Sequence, residues 1–200
     1  MPINRKAAKP AHKRTTKTGQ IRIIGGQHRG RKLPVHDIEG LRPTTDRVKE
    51  TVFNWLMMDI RDAQVLDCFA GAGSLGFEAQ SRFAKQVTLF ELEPKAAQQL
   101  HDNAALLNML NVSVQQGDAL TLLAQPSSAA YDIAFIDPPF NKGLAYKCAQ
   151  ALEENGWLAD DALVYVEVEA NNADFIAPDN WQLRKEKRAG QAWGRLYQRM

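Results

Sequence analysis

The chain has few cysteines and no long apolar run. Its two cysteines, Cys68 and Cys148, lie inside hydrophobic segments at no metal-ligand spacing, so we expect reduced packing residues rather than a disulfide or a zinc site. The four histidines are scattered and add no metal signal. No apolar segment approaches the roughly 20 residues of a membrane span, and the amino terminus lacks a secretory signal. We therefore expect a soluble, cytoplasmic protein with one main globular domain.

Acidic residues are missing from the amino-terminal part. From Met1 to His36 the chain has ten Lys or Arg residues and no Asp or Glu, whereas the remaining residues carry fifteen basic and twenty-three acidic groups. Residues 1–19 are polar and basic without apolar periodicity, which predicts a disordered arm. Such an arm is either a solvated tail or an electrostatic contact for nucleic acid or an acidic surface, and its composition leaves both open.

After the arm, the pattern predicts a small hairpin and then alternating strands and helices. Residues 20–40 contain two short apolar stretches around "GGQHRGRK", typical of a basic β-hairpin outside the main core. Val48, Val52 and Leu56 repeat at helical spacing. Five apolar strands follow, "QVLDCFA", "QVTLFELE", "VSVQQ", "YDIAFID" and "ALVYVEVEA", with helical segments between them. This alternation predicts an α/β domain over residues 41–200, in which "WQLRKEKRAGQAWGRLYQRM" adds a C-terminal antiparallel hairpin to a mostly parallel sheet of seven strands.

A glycine-rich turn follows the first strand of this sheet. Gly71, Gly73 and Gly76 have the G-x-G-x-x-G spacing between a strand and a helix, where main-chain N–H groups can approach a ligand. Glu91 ends the next strand, and a carboxylate there can bind ribose hydroxyls of a dinucleotide or of S-adenosylmethionine. Asp67, four residues before the first glycine, favours S-adenosylmethionine, because its charge would repel a pyrophosphate and attract the ammonium and sulfonium groups.

Asp118 follows the third strand in "QQGDALTLL". Its carboxylate could accept a hydrogen bond from an adenine amino group. An aspartate at this position is also typical of a helix N-cap, and the spacing leaves both interpretations open.

The segment "YDIAFIDPPF" ends a predicted strand beside the first one, at the crevice where ligands bind in such sheets. The Asp137 side chain and the Pro138 carbonyl can accept hydrogen bonds from an exocyclic base amine and so turn its lone pair toward a methyl donor. Pro138 and Pro139 restrict the backbone, and Phe140 can stack on a base taken out of its helix. The alternative is a strand-terminating turn without a ligand.

The motifs resemble those of a known family. "DCFAGAGSLGFEA" and "DPPF" resemble the first and fourth motifs of amino-group methyltransferases. "IRIIGGQHRGRKL" followed by "RPTTDRVKETVFNWL" resembles the bacterial RsmD family of 16S rRNA (guanine(966)-N(2))-methyltransferases, over residues 20–200. The resemblance implies a Rossmann-like class I S-adenosylmethionine-dependent methyltransferase fold with a small N-terminal β-hairpin extension. It also implies S-adenosyl-L-methionine as cofactor and 16S rRNA, free or within the assembling small ribosomal subunit, as the partner of a monomeric enzyme.

Carried over by motif, the resemblance implies two sets of site residues. The cofactor would be bound by Arg42, Pro43, Thr44, Asp67, Phe69, Gly71, Gly73, Glu91, Asp118 and Ala119. The catalytic motif that receives the guanine would consist of Asp137, Pro138, Pro139 and Phe140. The charge of the hairpin adds candidates for RNA contact, which are Arg22, His28, Arg29, Arg31 and Lys32.

Three other functions are compatible with parts of the sequence. A DNA adenine-N6 methyltransferase would use the same Asp-Pro-Pro-aromatic chemistry, although the chain has no room for a large target-recognition domain. A dinucleotide-dependent dehydrogenase would use the glycine turn, but Asp67 disfavours a pyrophosphate and no catalytic base is evident in the crevice. A noncatalytic RNA-binding module would explain the basic arm but would not require the crevice.

The arm provides a test that depends on charge alone. Residues 1–19 contain six Lys or Arg residues. If all six contact phosphates of single-stranded RNA, a chain starting at Gly19 should show a slope of log affinity against log salt that is smaller by about 4, from roughly 0.7 per contact. RNA binding at several salt concentrations measures this slope, and affinity for S-adenosylmethionine serves as the control. Identical slopes for both chains would identify the arm as a solvated tail.

Overall fold

The computed structural model describes residues 19–35, 45–140, 142–171 and 175–200. A small antiparallel hairpin comes first, formed by β1 (Gly19–Arg22) and β2 (Lys32–Val35) around a short 3-10 turn. The remaining strands are β3 (Gln64–Asp67), β4 (Gln86–Glu91), β5 (Val112–Gln116), β6 (Tyr131–Ile136), β7 (Leu158–Glu169), β8 (Trp181–Ala189) and β9 (Ala192–Arg199). The helices are α1 (Asp46–Trp55), α2 (Ser74–Ser81), α3 (Pro94–Leu106), α4 (Ala119–Leu123) and α5 (Leu144–Glu154).

The larger sheet has seven strands in the order β5-β4-β3-β6-β7-β9-β8. Strands β3 to β7 are parallel, and β9 runs antiparallel to both β7 and β8. This arrangement confirms the predicted mostly parallel sheet with its C-terminal antiparallel hairpin. Within the described ranges, no helix combines the length and apolarity that crossing a membrane requires.

Side chains from both faces of the large sheet are buried in separate core clusters. In β6, for example, Phe135 belongs to the cluster under α1, α2 and α3, whereas its neighbour Ile136 belongs to the cluster under α4 and α5. Strands that are buried on both faces have nearly continuous apolar sequences, as these do. Cys68 and Cys148 are buried free thiols in the second cluster, which confirms their prediction as packing residues.

The N-terminal hairpin packs into the first core cluster. Four apolar side chains of the hairpin are buried there, namely Ile21, Ile23, Leu33 and Val35. The prediction that the hairpin lies outside the main core was therefore wrong. The two strands do form a separate sheet, but alternate residues of a strand point to one face, and here that face is covered by the main domain.

Hydrogen bonds to α2 fix the hairpin on the domain. The Ile24 backbone N–H donates to Glu78 Oε2 at 2.8 Å. The hydroxyl of Ser81 donates to the Gly25 carbonyl at 2.6 Å and accepts from the His28 N–H at 3.0 Å. The turn of the hairpin is thus held by three hydrogen bonds to two residues of one helix, and its orientation relative to the large sheet is defined.

Replacing Glu78 should destabilise this attachment. Glu78 is fully buried and also accepts from Arg82 Nε at 2.7 Å, so Glu78→Ala leaves the Ile24 N–H and the Arg82 guanidinium without their acceptor. We expect a loss of about 2 to 4 kcal/mol in the free energy of unfolding, measured by urea denaturation. Glu50→Ala, at an exposed position of α1, is the matched control. Equal effects of the two substitutions would show that Glu78 does not hold the hairpin.

Candidate active site

Three acidic residues lie at the carboxyl ends of neighbouring strands. Asp67 is the last residue of β3, Glu91 is the last residue of β4, and Asp137 directly follows β6. Because β3 lies between β4 and β6 in the sheet, the three carboxylates lie along one edge. Strands β4 and β5 are added on one side of β3 and strands β6 and β7 on the other, and such a reversal of strand order in an open α/β sheet is where ligands bind.

The segment that leads from β3 into α2 requires glycine at two positions, one in the turn and one inside the helix. Gly73 has φ of +79°, a left-handed conformation that side chains disfavour, and it directly precedes α2. At Gly76 a Cβ atom would lie 2.2 Å from Leu89 Cδ2, so only glycine lets α2 approach β4 this closely. Both features confirm the predicted strand, turn and helix, and they bring the first N–H groups of α2 to the crevice.

Glu91 holds this turn in place. Its Oε2 accepts from the Gly71 N–H and its Oε1 from the Glu93 N–H, both at 2.8 Å. Burial raises the pKa of the Glu91 carboxyl above its usual value, while the two N–H groups oppose the rise. A carboxylate oxygen can accept more than one hydrogen bond, so Glu91 can also accept hydrogen bonds from hydroxyl groups of a ligand.

Asp67 is a buried carboxyl with an unusually high pKa. Burial raises its pKa to about 7, although N–H groups of Phe69 and Gly76 stabilise the charge. Within the described part of the chain, Asp67 Oδ1 and the Ser74 hydroxyl are buried and have no hydrogen-bond partner. Unpartnered buried polar atoms are costly, so two of them beside one glycine turn are typical of a site that a polar ligand completes. Sequence reasoning missed Ser74, although its place within the glycine motif could have identified it.

The Asp-Pro-Pro-Phe segment follows β6 beside Tyr165 of β7. Asp137 and Phe140 are half-buried, Pro138 is buried and Pro139 is exposed. The Tyr165 hydroxyl donates to Glu167 Oε2 at 2.8 Å. Burial raises the pKa of Tyr165 well above its usual value, and the carboxylates of Glu167 and Asp137 add to the rise.

The electrostatic influence of Asp137 on Tyr165 and the register of β6 and β7 place Tyr165 and Glu167 at the border of the site. Sequence reasoning missed both residues. Only the pairing of β7 with β6, in which Phe135 lies opposite Tyr165, brings them to Asp137.

Asp118 caps α4 in the structure. Its Oδ1 accepts from the Thr121 N–H at 2.9 Å and from the Thr121 hydroxyl at 3.0 Å. The helix-cap interpretation is therefore correct, and the contact with adenine stays a prediction for the exposed carboxylate. Phe69 is half-buried in the turn after β3 and Ala119 is buried at the start of α4. Arg42, Pro43 and Thr44 lie outside the described residues.

The candidate RNA contacts of the hairpin lie at the surface. Arg22, Arg29, Arg31 and Lys32 are exposed, and His28 is half-buried. Burial and the nearby charge of Arg31 lower the pKa of His28. The hairpin and α1 enclose a groove of about 370 Å³, lined by Gln20, Ile21, Arg22, Lys32, Thr45, Asp46 and Lys49.

Lys49 fixes the wall of this groove. Its side chain is almost completely buried, donates to the Arg22 carbonyl and forms an ion pair with Asp46 at 3.4 Å. Among the described residues, no group of three or more His, Cys, Asp or Glu side chains could hold a metal ion.

Comparison with known proteins relates this chain to methyltransferases. A family model described as conserved hypothetical protein 95 matches residues 21–198. The chain is 55% identical to ribosomal RNA small subunit methyltransferase D of Escherichia coli strain K12 over 96% of this chain and 94% of the relative. It is 50% identical to the protein of the same name from Haemophilus influenzae, over 90% and 94%. A solved structure described as a putative methyltransferase yhhF from Escherichia coli superposes with a TM-score of 0.86 at 54% identity, covering 90% of this chain and 98% of that one.

The raised pKa of Asp67 predicts a pH-dependent cost to stability. Its folded pKa of about 7 lies above the usual 3.8, so the folded state binds the extra proton between these values and its stability falls as pH rises through this window. Asp67→Asn removes this contribution. The free energy of unfolding of the variant relative to the wild type should therefore increase by about 2 to 3 kcal/mol from pH 5 to pH 8.

Urea unfolding at the two pH values measures this change. Asp132→Asn, at the exposed amino-terminal end of β6, is the control. A difference between Asp67→Asn and wild type that stays constant with pH would contradict the assignment.

Proposed function

The chain belongs to the family described as conserved hypothetical protein 95, and we propose that it transfers a methyl group from S-adenosylmethionine to the exocyclic N2 of a guanine in 16S rRNA. The observation that carries this function is the position of the Asp-Pro-Pro-Phe segment, directly after β6 and beside the acidic glycine turn of β3. Asp67 of this turn pairs with Phe135, two residues before Asp137, which supports a role of the segment beside the unpartnered Asp67 Oδ1 and Ser74 hydroxyl. Its relatives are named as methyltransferases of small-subunit ribosomal RNA.

The residues at the glycine turn fit S-adenosylmethionine. When bound, this cofactor supplies a methyl group activated on a sulfonium. Asp67 Oδ1 and the Ser74 hydroxyl can pair with its polar methionine part, and ionised Asp67 favours its positive charges. Glu91 can accept hydrogen bonds from the ribose hydroxyls while it keeps its hydrogen bond to the Gly71 N–H of the turn. The cap of α4 uses Oδ1 of Asp118, so its Oδ2 can accept from the adenine amino group.

The segment after β6 can orient the amine of the base. The lone pair of an exocyclic amine is delocalised into the ring, so the amine is a poor nucleophile unless its N–H groups are held. Asp137 can accept a hydrogen bond from one N–H of the amine and the Pro138 carbonyl a hydrogen bond from the other. These two bonds turn the lone pair away from the acceptors. Phe140 can stack on the flipped base, and stacking of this kind contributes about 1 to 3 kcal/mol. Positioning then accounts for most of the catalysis.

The choice of guanine N2 rather than adenine N6 comes from the family and not from the chemistry of the segment, since both amines fit the same acceptors. The exposed basic hairpin favours a nucleic-acid substrate, and the names of the relatives favour RNA. We infer that the enzyme acts as a monomer in the cytoplasm and methylates 16S rRNA during assembly of the small subunit.

Removing the carboxylate of Asp137 should separate catalysis from cofactor binding. Asp137→Ala takes away an acceptor that orients the amine but contacts no proposed cofactor group. Turnover should fall by about a hundredfold or more, which corresponds to about 2.7 kcal/mol or more of transition-state stabilisation. Transfer of labelled methyl groups to 16S rRNA measures turnover, and calorimetry should show nearly unchanged affinity for S-adenosylmethionine. Asp132→Ala, in the same strand at its other end, is the matched control.

Mapping the methylated nucleotide tests the proposed function directly. Small subunits from cells that lack the gene are incubated with the purified chain and S-adenosylmethionine, and DNA is offered in parallel. A new N2-methylguanine in 16S rRNA is the expected product. Methylated adenine in DNA, or near-normal turnover of Asp137→Ala, would overturn the assignment.

A further inference from the structure

The last two strands carry a concentration of positive charge. Six of the fifteen Lys and Arg residues that follow His36 lie in β8 and β9, although that part of the chain is acidic as a whole. Four of the six are exposed on β8, and together they are called the β8 basic surface: Arg184, Lys185, Lys187 and Arg188. Successive side chains of a strand point to opposite faces, so this surface covers both sides of the edge strand, with Lys187 toward α1 and Arg188 toward Trp193. Between Arg184 and Arg195 the only acidic residue is Glu186.

Protection of a sheet edge explains this charge only in part. Strand β8 is an edge strand, and exposed edges commonly carry charged side chains, lysine above all, that prevent pairing with another chain. Arg184 and Arg188 go beyond this protection, because arginine is the residue best suited to phosphate recognition. Four basic residues against one acidic residue in β8 therefore point to an anionic partner, since a predominantly basic surface attracts a polyanion.

The surface lies close to the proposed methylation site. Ile136, directly before Asp137, pairs with Val166 of β7, which in turn pairs with Arg195 of β9. Strand β8 is the next neighbour, three strands from β6. Since neighbouring strands are spaced by about 4.8 Å, β8 lies about 14 Å from β6 at this level. The turn between β8 and β9 lies just beyond the carboxyl-terminal end of β7, and Asp137 lies at the corresponding end of β6.

Contacts at this turn hold Arg188 in a defined position. Its guanidinium carbon lies 4.1 Å from the centre of the Trp193 ring, and that of the buried Arg195 lies 3.6 Å from it. The indole N–H of Trp193 donates to Glu186 Oε2 at 3.0 Å. An exposed arginine that is already oriented by an aromatic ring loses less conformational freedom when it binds a phosphate.

The surface continues toward the N-terminal hairpin. Lys187 Nζ donates to the Thr51 hydroxyl of α1 at 3.1 Å. The amino-terminal end of the same helix lines the groove that also contains Arg22 and Lys32. Helix α1 thus joins two basic elements that come from opposite ends of the chain.

We propose that the β8 basic surface binds phosphates of the substrate RNA strand beside the target nucleotide. The RNA is then held both by the β1–β2 hairpin and by β8, with α1 between them. This inference rests on the proposed function, from which it takes the RNA substrate. Phosphate contacts of this kind set the register of a nucleic acid on a protein and carry no sequence information.

The test compares two charge variants of the full chain. Lys187→Gln/Arg188→Gln removes two charges from the surface. The control, Arg61→Gln/Lys85→Gln, removes the same two residue types from exposed positions just before β3 and β4, at the amino-terminal ends of these strands. Binding to 16S rRNA is measured at several salt concentrations. For the first variant the slope of log affinity against log salt should be smaller by about 1.4, from roughly 0.7 per contact in single-stranded RNA. For the second it should equal that of the wild type.

The outcomes separate this inference from the proposed function. An unchanged slope for Lys187→Gln/Arg188→Gln, or an equal reduction in both variants, overturns the RNA surface even when the wild type methylates the RNA. A reduction specific to this variant in a protein that transfers no methyl group supports the surface and overturns the function. Arg184→Gln/Lys185→Gln keeps the contacts of Trp193 and repeats the test if the first variant fails to fold. Affinity for S-adenosylmethionine should be equal in all chains.

Discussion

Burial of the parallel strands on both faces is the constraint on which the site depends. Strands β3, β4 and β6 have helices on either side, so their interior positions accept only apolar side chains or paired polar ones. Charged side chains can leave such a strand only at its end. Because the three strands are neighbours, Asp67, Glu91 and Asp137 reach the same edge, and the chain needs no long loop to bring them together.

The energetic consequence of this placement is greatest at Asp67. A carboxyl with a pKa of about 7 in the folded state is about half protonated at neutral pH, whereas a solvated carboxyl is ionised there. The large double-sided core compensates for this cost. A cationic ligand would restore the charged form, so part of the binding free energy of the ligand is used to ionise Asp67. The cost of burying Asp67 and the preference of its carboxylate for a positive ligand have the same origin.

Local patterns predicted most of the fold, and the misses are contacts between distant segments. The strands, the glycine turn and the position of Glu91 at the end of β4 were predicted because each depends on residues close in sequence. The attachment of the hairpin was missed because Ile24 and its acceptor Glu78 are 54 positions apart, and a glutamate inside a helix gives no local sign of burial. Tyr165 and Glu167 were missed for a similar reason, since their position beside Asp137 depends on the register of β6 and β7. Asp118 left two interpretations open, and its hydrogen bonds to Thr121 decided for the helix cap.

The distribution of charge adds an orienting effect to the geometry of the site. Residues after His36 carry more acidic than basic groups, so most of the domain repels a polyanion. The hairpin formed by β1 and β2 and the edge strand β8 are the basic exceptions, and α1 lies between them. An approaching RNA strand is repelled from the remaining surface and attracted to these two elements. The acidic body therefore contributes to recognition, because repulsion from the other faces reduces the number of orientations in which a nucleotide can reach the site proposed at Asp137.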